Sequence, residues 1–416
     1  MRKKILYFTD CSFFGGCENI LVNLINNDII LSNYDIYFSY RDSLLYKKEV
    51  NNRFNKNIKA FPIKLLTNDS ELYRFFLKKS DTKNKLSSFL FKLISKLMRI
   101  TKDIGIYSLY NFIVIFLIIV KIKPDIVHIN NGGYPGAFTC KIFAIVSKLL
   151  SVKKIIFTVN NLAYPQNNFI DRFIDKIVDK SVTIFTTASN AAKVVLNKRR
   201  NFPISKIINI PNTLKNELDL DKIKEGKLRN EFSISKETII VGSVGLLTKR
   251  KGFHILIKSI VNIVKNLNDK NIIFFIFGDG EERINLEEQI KLLNLENKIK
   301  LPGHKSNILD YVKDFDLFVL PSIDNEDFPY VIIEAMLLEK AIISTNVAGI
   351  PEQVKNNDNG YIVEPLNEKE LSEKIEKLIL DENERYIMGK KSKERYKNLF
   401  SYKEITNKYL DIYKSL

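Results

Sequence analysis

Short runs of β-branched and aromatic residues alternate with helical patterns along almost the whole chain, and the alternation then starts again. Strands are predicted at 3–8 (KKILYF), 35–40, 125–130, 154–159, 182–187 and 206–211, with helices at 17–27, 136–150 and 169–180. After the charged stretch 215–232, further strands are predicted at 238–244, 271–277 (NIIFFIF), 298–303, 316–321 and 341–346. Helical segments intervene near 253–266, 281–293, 306–313, 330–339 and 367–379. Runs that are apolar throughout must be covered on both faces, which calls for parallel sheets flanked by helices. Two such series predict an α/β protein of two Rossmann-like domains, 1–215 and 216–394, and 416 residues are ample for two cores. Ligands of open α/β sheets bind beyond the carboxyl ends of the strands. The expected site is therefore a cleft between the domains.

The apolar fraction of 45% and charged fraction of 27% exclude wholesale disorder. Three cysteines and three histidines, all scattered, offer neither a disulfide framework nor a zinc spacing. A cytosolic compartment is expected, and the start MRKKILYFTDCSFFGG does not read as a signal peptide. The net charge of +17 is unevenly placed: residues 1–215 carry +20 and residues 216–416 carry −3. A basic half beside a near-neutral half points to an anionic partner for the first domain. Residues 107–120 are strongly apolar but about 14 long, too short to span a bilayer, and predict a helix packed on a sheet. In 85–99, Leu86, Phe89, Leu90, Leu93, Ile94 and Leu97 fall on one helical face, with Lys92, Lys96 and Arg99 mostly opposite. This basic amphipathic helix either lies on a membrane or covers the first sheet.

Three strand ends carry candidate chemistry. The first strand runs into Gly15-Gly16 before a helix, where backbone amides can approach an anion. No GxGxxG follows it, so a dinucleotide site is not expected. Strand 238–244 ends in Gly245 and then Lys249-Arg250-Lys251-Gly252, cations placed to grip a diphosphate. The next strand ends in Gly278-Asp279-Gly280, a sharp turn able to meet a base or ribose. In the segment 321–336, Glu326 and Glu334 flank Phe328 and a helix start marked by Pro329. Amides at Tyr330 and Val331 would face a phosphate. Glu334 would lie about 7 Å along the helix axis, so one carboxylate can hold a ribose and the other a sugar.

In family order, Gly15-Gly16, the PDIVH run ending at His128, Ile210-Pro-Asn212, Lys251-Gly252, Gly278-Asp-Gly280, Glu326 with Glu334, and Gly349-Ile-Pro-Glu352 resemble glycosyltransferase family 4. The resemblance spans residues 13 to 363. It implies the GT-B fold, with parallel sheets of two domains facing each other across a cleft and C-terminal helices, about 395–416, crossing back onto the first domain. It implies retaining transfer from a nucleotide-diphospho-sugar, a UDP- or GDP-sugar, without a metal ion or other cofactor. By resemblance Glu334 binds the donor ribose, Glu326 the donor sugar, and Lys251 with the Gly15-Gly16 amides the diphosphate. Gly245, Arg250, Gly278, Gly280, Phe328, Tyr330 and Val331 complete the donor site, and His128 and Asn160 face the acceptor. Leu246 stands where the family has arginine, Asn19 where Gly-Gly-x-Glu ends in arginine, and Asn160 where histidine is frequent.

The expected activity is growth of a surface glycan (capsule, O-antigen or exopolysaccharide) on a glycan or lipid-linked glycan acceptor. The chain would work in the cytoplasm, peripheral on the inner face of an anionic membrane. The alternative is a catalytically weakened subunit partnering another transferase. Nucleic acid is not an expected partner, since no recognised binding module is present.

Overall fold

The computed structural model describes residues 2–12, 14–55, 58–66, 88, 106–214 and 222–415. The chain divides into two units. The first comprises Met1–Thr187, Lys193–Ile208 and Leu410–Leu416, and the second Ala188–Ala192 and Asn209–Tyr409. The units thus meet at 208/209 rather than 215/216, and the segment that rejoins the first unit is 410–416 rather than about 395–416.

The first unit holds a seven-stranded sheet: β1 (Lys3–Thr9), β2 (Tyr34–Arg41), β3 (Lys59–Ile63), β4 (Ile126–Asn131), β5 (Lys154–Val159), β6 (Ile184–Thr187) and β7 (Ile207–Asn209). Its order is β3-β2-β1-β4-β5-β6-β7, and β1 pairs in parallel with β2 (Ile5 opposite Ile36) and β4 (Ile5 opposite Ile126). The strand order therefore reverses between β1 and β4. β3 was not expected from the sequence because its KAFPI run is charged and contains proline. It survives as the edge strand beside β2, where Pro62 has only one neighbour to satisfy. The helix Ile106–Ile122 buries Ile115, Ile118, Ile119 and Ile122 against the sheet, as expected. Its other face leaves Leu109, Ile113 and Leu117 at least half exposed, so the helix is covered on one side only. No helix among the described residues is long and apolar enough to cross a membrane. The amphipathic segment 85–99 lies outside the described residues, Ser88 excepted.

The rejoining segment is fastened to the centre of this sheet. The Tyr413 hydroxyl meets Tyr7 Oη at 3.0 Å and His128 Nδ1 at 2.7 Å, and Lys154 Nζ donates to Ile412 O at 2.5 Å.

The second unit holds six strands, β8 (Ile239–Val244), β9 (Ile272–Phe277), β10 (Ile299–Gly303), β11 (Leu317–Leu320), β12 (Ala341–Thr345) and β13 (Gly360–Val363). All neighbours in the order β10-β9-β8-β11-β12-β13 pair in parallel. The reversal here falls between β8 and β11. β9, with sequence IIFFIF, is buried at every position, as a strand covered on both faces must be. In this unit β13 was not expected from the sequence, four residues opening on glycine.

Candidate donor site

The loops after β8 and β11 leave the sheet at its reversal point, where open α/β sheets bind ligands. Backbone bonds lace these loops to the loop after β9. Gly245 N donates to Phe277 O and Leu247 N to Asp279 O, each at 2.9 Å, and Glu282 N returns to Leu247 O at 3.0 Å. Gly278 has φ +136°, and a Cβ there would stand 1.9 Å from Gly245 O, so only glycine lets the two loops approach. Gly252, at φ +69°, plays the same part against the β11 loop: a Cβ would stand 2.0 Å from Pro321 O. Beside it, Ile323 N donates to Arg250 O at 2.8 Å. Gly245 lies against the stem of Lys251, and Gly280 against Leu247.

The three expected cations sit on one 3-10 turn, Lys249–Lys251, yet differ in environment. Lys249 is exposed, Arg250 half-buried and Lys251 buried. Lys251 Nζ lies 2.5 Å from Glu326 Oε2, and Arg250 Nη1 reaches the same oxygen at 2.8 Å and Asn325 O at 3.2 Å. Ser322 Oγ adds a third donor at 3.3 Å. One carboxylate thus gathers two cations, leaving a net positive cluster. Burial lowers the Lys251 ammonium below the usual lysine range, opposed by its contact with Glu326.

Helix Tyr330–Leu337 begins after Pro329 with no side-chain cap on its first-turn amides. Glu334 is half-buried, and its carboxylate has no hydrogen-bond or ion-pair partner among the described residues. Desolvation pushes it up to about 7. A carboxylate held without a donor beside an uncapped helix start is suited to accept from ligand hydroxyls.

Several expected residues lie elsewhere. The Phe328 side chain is buried against Phe400, with ring centroids 5.3 Å apart, so it cannot line a donor site. Its backbone carbonyl accepts from the buried Asn212 Nδ2 at 2.9 Å. His128 is no acceptor-facing residue: it is buried inside the first sheet, with Nε2 on Thr158 Oγ1 at 2.8 Å and Nδ1 on Tyr413. Burial drops it to about 3, so it stays neutral. Asn160 remains partly exposed at the end of β5, its amide tied to Asn130 Oδ1 at 2.8 Å and Asn131 O at 2.9 Å. Gly15 and Gly16 lie in the first unit, opening a 3-10 turn, Gly16–Glu18, ahead of helix Asn19–Ile25. A Cβ on Gly16 would meet nothing.

Asp327 went unnoticed in the sequence. It is buried, accepts a hydrogen bond from Ser189 Oγ, and is pushed up to about 7, chiefly by desolvation. The nearby Gly349-Ile-Pro-Glu352 run has a packing role. Glu352 accepts from Asn190 N and Ala191 N, both at 2.9 Å, at the start of helix Asn190–Arg200. A Cβ on Gly349 would stand 2.1 Å from Asp327 O.

Two Rossmann-like units, the second with a cationic cluster at its reversal point, define the GT-B fold class. The Anabaena protein HepE, crystallised in complex with UDP, shares this fold at a TM-score of 0.75 and 17% identity, over 99% of this chain and 100% of that one. Residues 224–395 match the family Glycosyl transferases group 1. Among curated relatives, the Staphylococcus aureus capsular polysaccharide biosynthesis glycosyltransferase CapM is 34% identical over 186 residues, 44% of this chain and 47% of CapM. An Escherichia coli protein named UDP-Gal:alpha-D-GlcNAc-diphosphoundecaprenol alpha-1,3-galactosyltransferase is 24% identical over 315 residues, 74% of this chain and 80% of that one. The matched stretch spans about half the length of the first curated relatives.

Proposed function

We propose that the chain is a retaining glycosyltransferase that moves a sugar from a nucleotide-diphospho-sugar to a lipid-linked glycan during synthesis of a surface polysaccharide. The observation that carries this reading is the pair Lys251 and Arg250 converging on Glu326, together with a Glu334 on the following helix that has no partner of its own. Departure of a nucleoside diphosphate leaves negative charge on its phosphates, and preorganised cations lower the cost of that step. In this reading Lys251 and Arg250 take the diphosphate, Glu334 accepts from the ribose hydroxyls, and Glu326 turns to the donor sugar. The leaving phosphate receives the acceptor's proton on the same face of the sugar, so no metal ion is needed. UDP is the favoured nucleotide, supported by its presence in the HepE crystal and in the name of the E. coli relative. CapM supports a capsule-type product. The +20 charge of residues 1–215 suits the cytoplasmic face of an anionic membrane.

The alternative, a weakened subunit of another transferase, draws on Leu246, which is 59% exposed where the family carries arginine. One experiment separates the two readings. The purified chain is given UDP- and GDP-sugars in the presence of EDTA, and nucleotide release is followed with and without lipid-diphospho-sugar acceptors. Acceptor-stimulated release supports the transferase. Donor binding without release supports the weakened subunit, and failure of every nucleotide-sugar to bind removes both.

A further inference from the structure

The first unit carries a cluster that this reaction does not use. Between Cys11 and Glu18 the chain passes the ends of β1 and β4, where the first sheet reverses its order, and Asn130 on β4 donates to Cys17 O at 3.2 Å. There Cys11 Sγ, Cys17 Sγ and a Glu18 carboxylate oxygen lie within 4.8 Å of one another. Glu18 is fully buried. Thr9 Oγ1 and Asn130 Nδ2 donate to its Oε1, each at 3.1 Å, and the Tyr46 hydroxyl donates to its Oε2. These donors are neutral, and no lysine or arginine pairs with Glu18 among the described residues. A buried carboxylate without a cation is a costly arrangement.

We propose that Cys11, Cys17 and Glu18 form a binding site for a thiophilic divalent cation such as zinc. Two thiolates and a carboxylate are a zinc-type donor set, with a water completing the tetrahedron. Zinc–sulfur and zinc–oxygen bonds of about 2.3 and 2.0 Å at a tetrahedral angle place sulfur and oxygen about 3.5 Å apart. Cys17 Sγ stands 3.8 Å from Glu18 Oε1, so small side-chain movement closes the site. Thr9, Tyr46 and Asn130 orient the carboxylate as outer partners of a metal ligand do. Cys11 and Cys17 are both partly exposed residues, which leaves an ion a path in. A bound ion staples the two ends of the turn that carries Gly15 and Gly16. The inference stands independently of the transferase reading.

The test uses the full chain, reduced and metal-free, with Zn2+ alone. About one equivalent should survive desalting, and Cys11→Ser and Cys17→Ser should each weaken binding at least about tenfold while Cys140→Ser leaves it unchanged. Zn2+ should also protect Cys11 and Cys17 of the unmodified chain from alkylation, mapped by mass spectrometry, which needs no variant to fold. Retention of less than about a tenth of an equivalent, equal affinity in the serine variants, or unprotected thiols would overturn the site.

Discussion

Lys251 Nζ and Glu326 Oε2 stand 2.5 Å apart, both side chains nine-tenths buried, with Arg250 closing on the same oxygen. The pair joins the loop after β8 to the loop after β11, so it fixes the two sides of the proposed diphosphate site to each other. Removing Lys251 leaves the carboxylate with Arg250 and Ser322 only. Lys251→Ala should lower stability by about 1–3 kcal/mol, the cost of a buried acceptor losing a partner. It should lower turnover far more than that loss explains. Urea unfolding alongside initial rates checks both.

Glu334 has no such partner to lose. Glu334→Gln should cost no stability, and should gain on the wild type as pH rises from about 4.5 toward 7, while weakening donor binding by about 1.5–3 kcal/mol, the range for a hydrogen bond to a charged group. Because burial holds this carboxyl at about 7, it is half protonated near neutrality in the unliganded protein. Ribose hydroxyls donate best to the ionised form, so donor affinity should rise as pH climbs from 6 to 8. Calorimetry at both pH values should show that rise in the wild type and its absence in Glu334→Gln.

Asp327 gives a stability prediction whose slope is opposite to that rise in affinity. Its folded value of about 7 exceeds the ordinary 3.8, so the folded state holds an extra proton between those limits. Stability contributed by this group is full below about 4, falls as pH rises toward 7, and is level beyond. Each pH unit of separation corresponds to about 1.4 kcal/mol. Asp327→Asn should therefore gain on the wild type by at least about 1 kcal/mol between pH 4 and pH 8. Denaturant midpoints across that range will show the gain or its absence.

In the proposed site, Arg250 is to supply the charge that Leu246 cannot. Arginine spreads two parallel donors where lysine acts as a point charge, so Arg250→Ala should cost more than the twofold in rate that ~0.4 kcal/mol of barrier represents. Leu246 is exposed beside the same turn, and Leu246→Arg placed on Arg250→Ala should restore part of the loss. Steady-state rates of the two variants decide it. No loss in Arg250→Ala would leave Lys251 acting alone.

How much of this was legible differs residue by residue. β9 could be read directly, since IIFFIF has no polar face to lose. β3 could not, because Lys59 and Pro62 are tolerated only by a sheet edge, and edges are decided by the fold. The spacing of Glu326 and Glu334, with seven residues between them, was visible, as was the cation run at 249–251. That Arg250 and Lys251 both turn to one oxygen was not. Neighbouring residues on a helical turn diverge, and here the two meet because both long side chains bend to Glu326, on the loop that Ile323 N ties to Arg250 O. His128 misled for a similar reason. The strand DIVHIN says nothing about Tyr413, which lies 285 residues away in sequence and meets its Nδ1. Asp327 looked like any loop aspartate until Ser189 and Gly349 closed over it.

The central claim is that the loops after β8 and β11 hold a nucleoside diphosphate through Lys251 and Arg250. Calorimetry of UDP against UMP tests it most directly, with GDP and GMP in parallel. The account predicts that the diphosphate binds more tightly than the monophosphate by at least about 1.4 kcal/mol, tenfold. It also predicts that this preference vanishes in the double variant Arg250→Ala, Lys251→Ala while weak monophosphate binding persists. Equal affinity for diphosphate and monophosphate in the wild type, or a preference unchanged in the double variant, would contradict it.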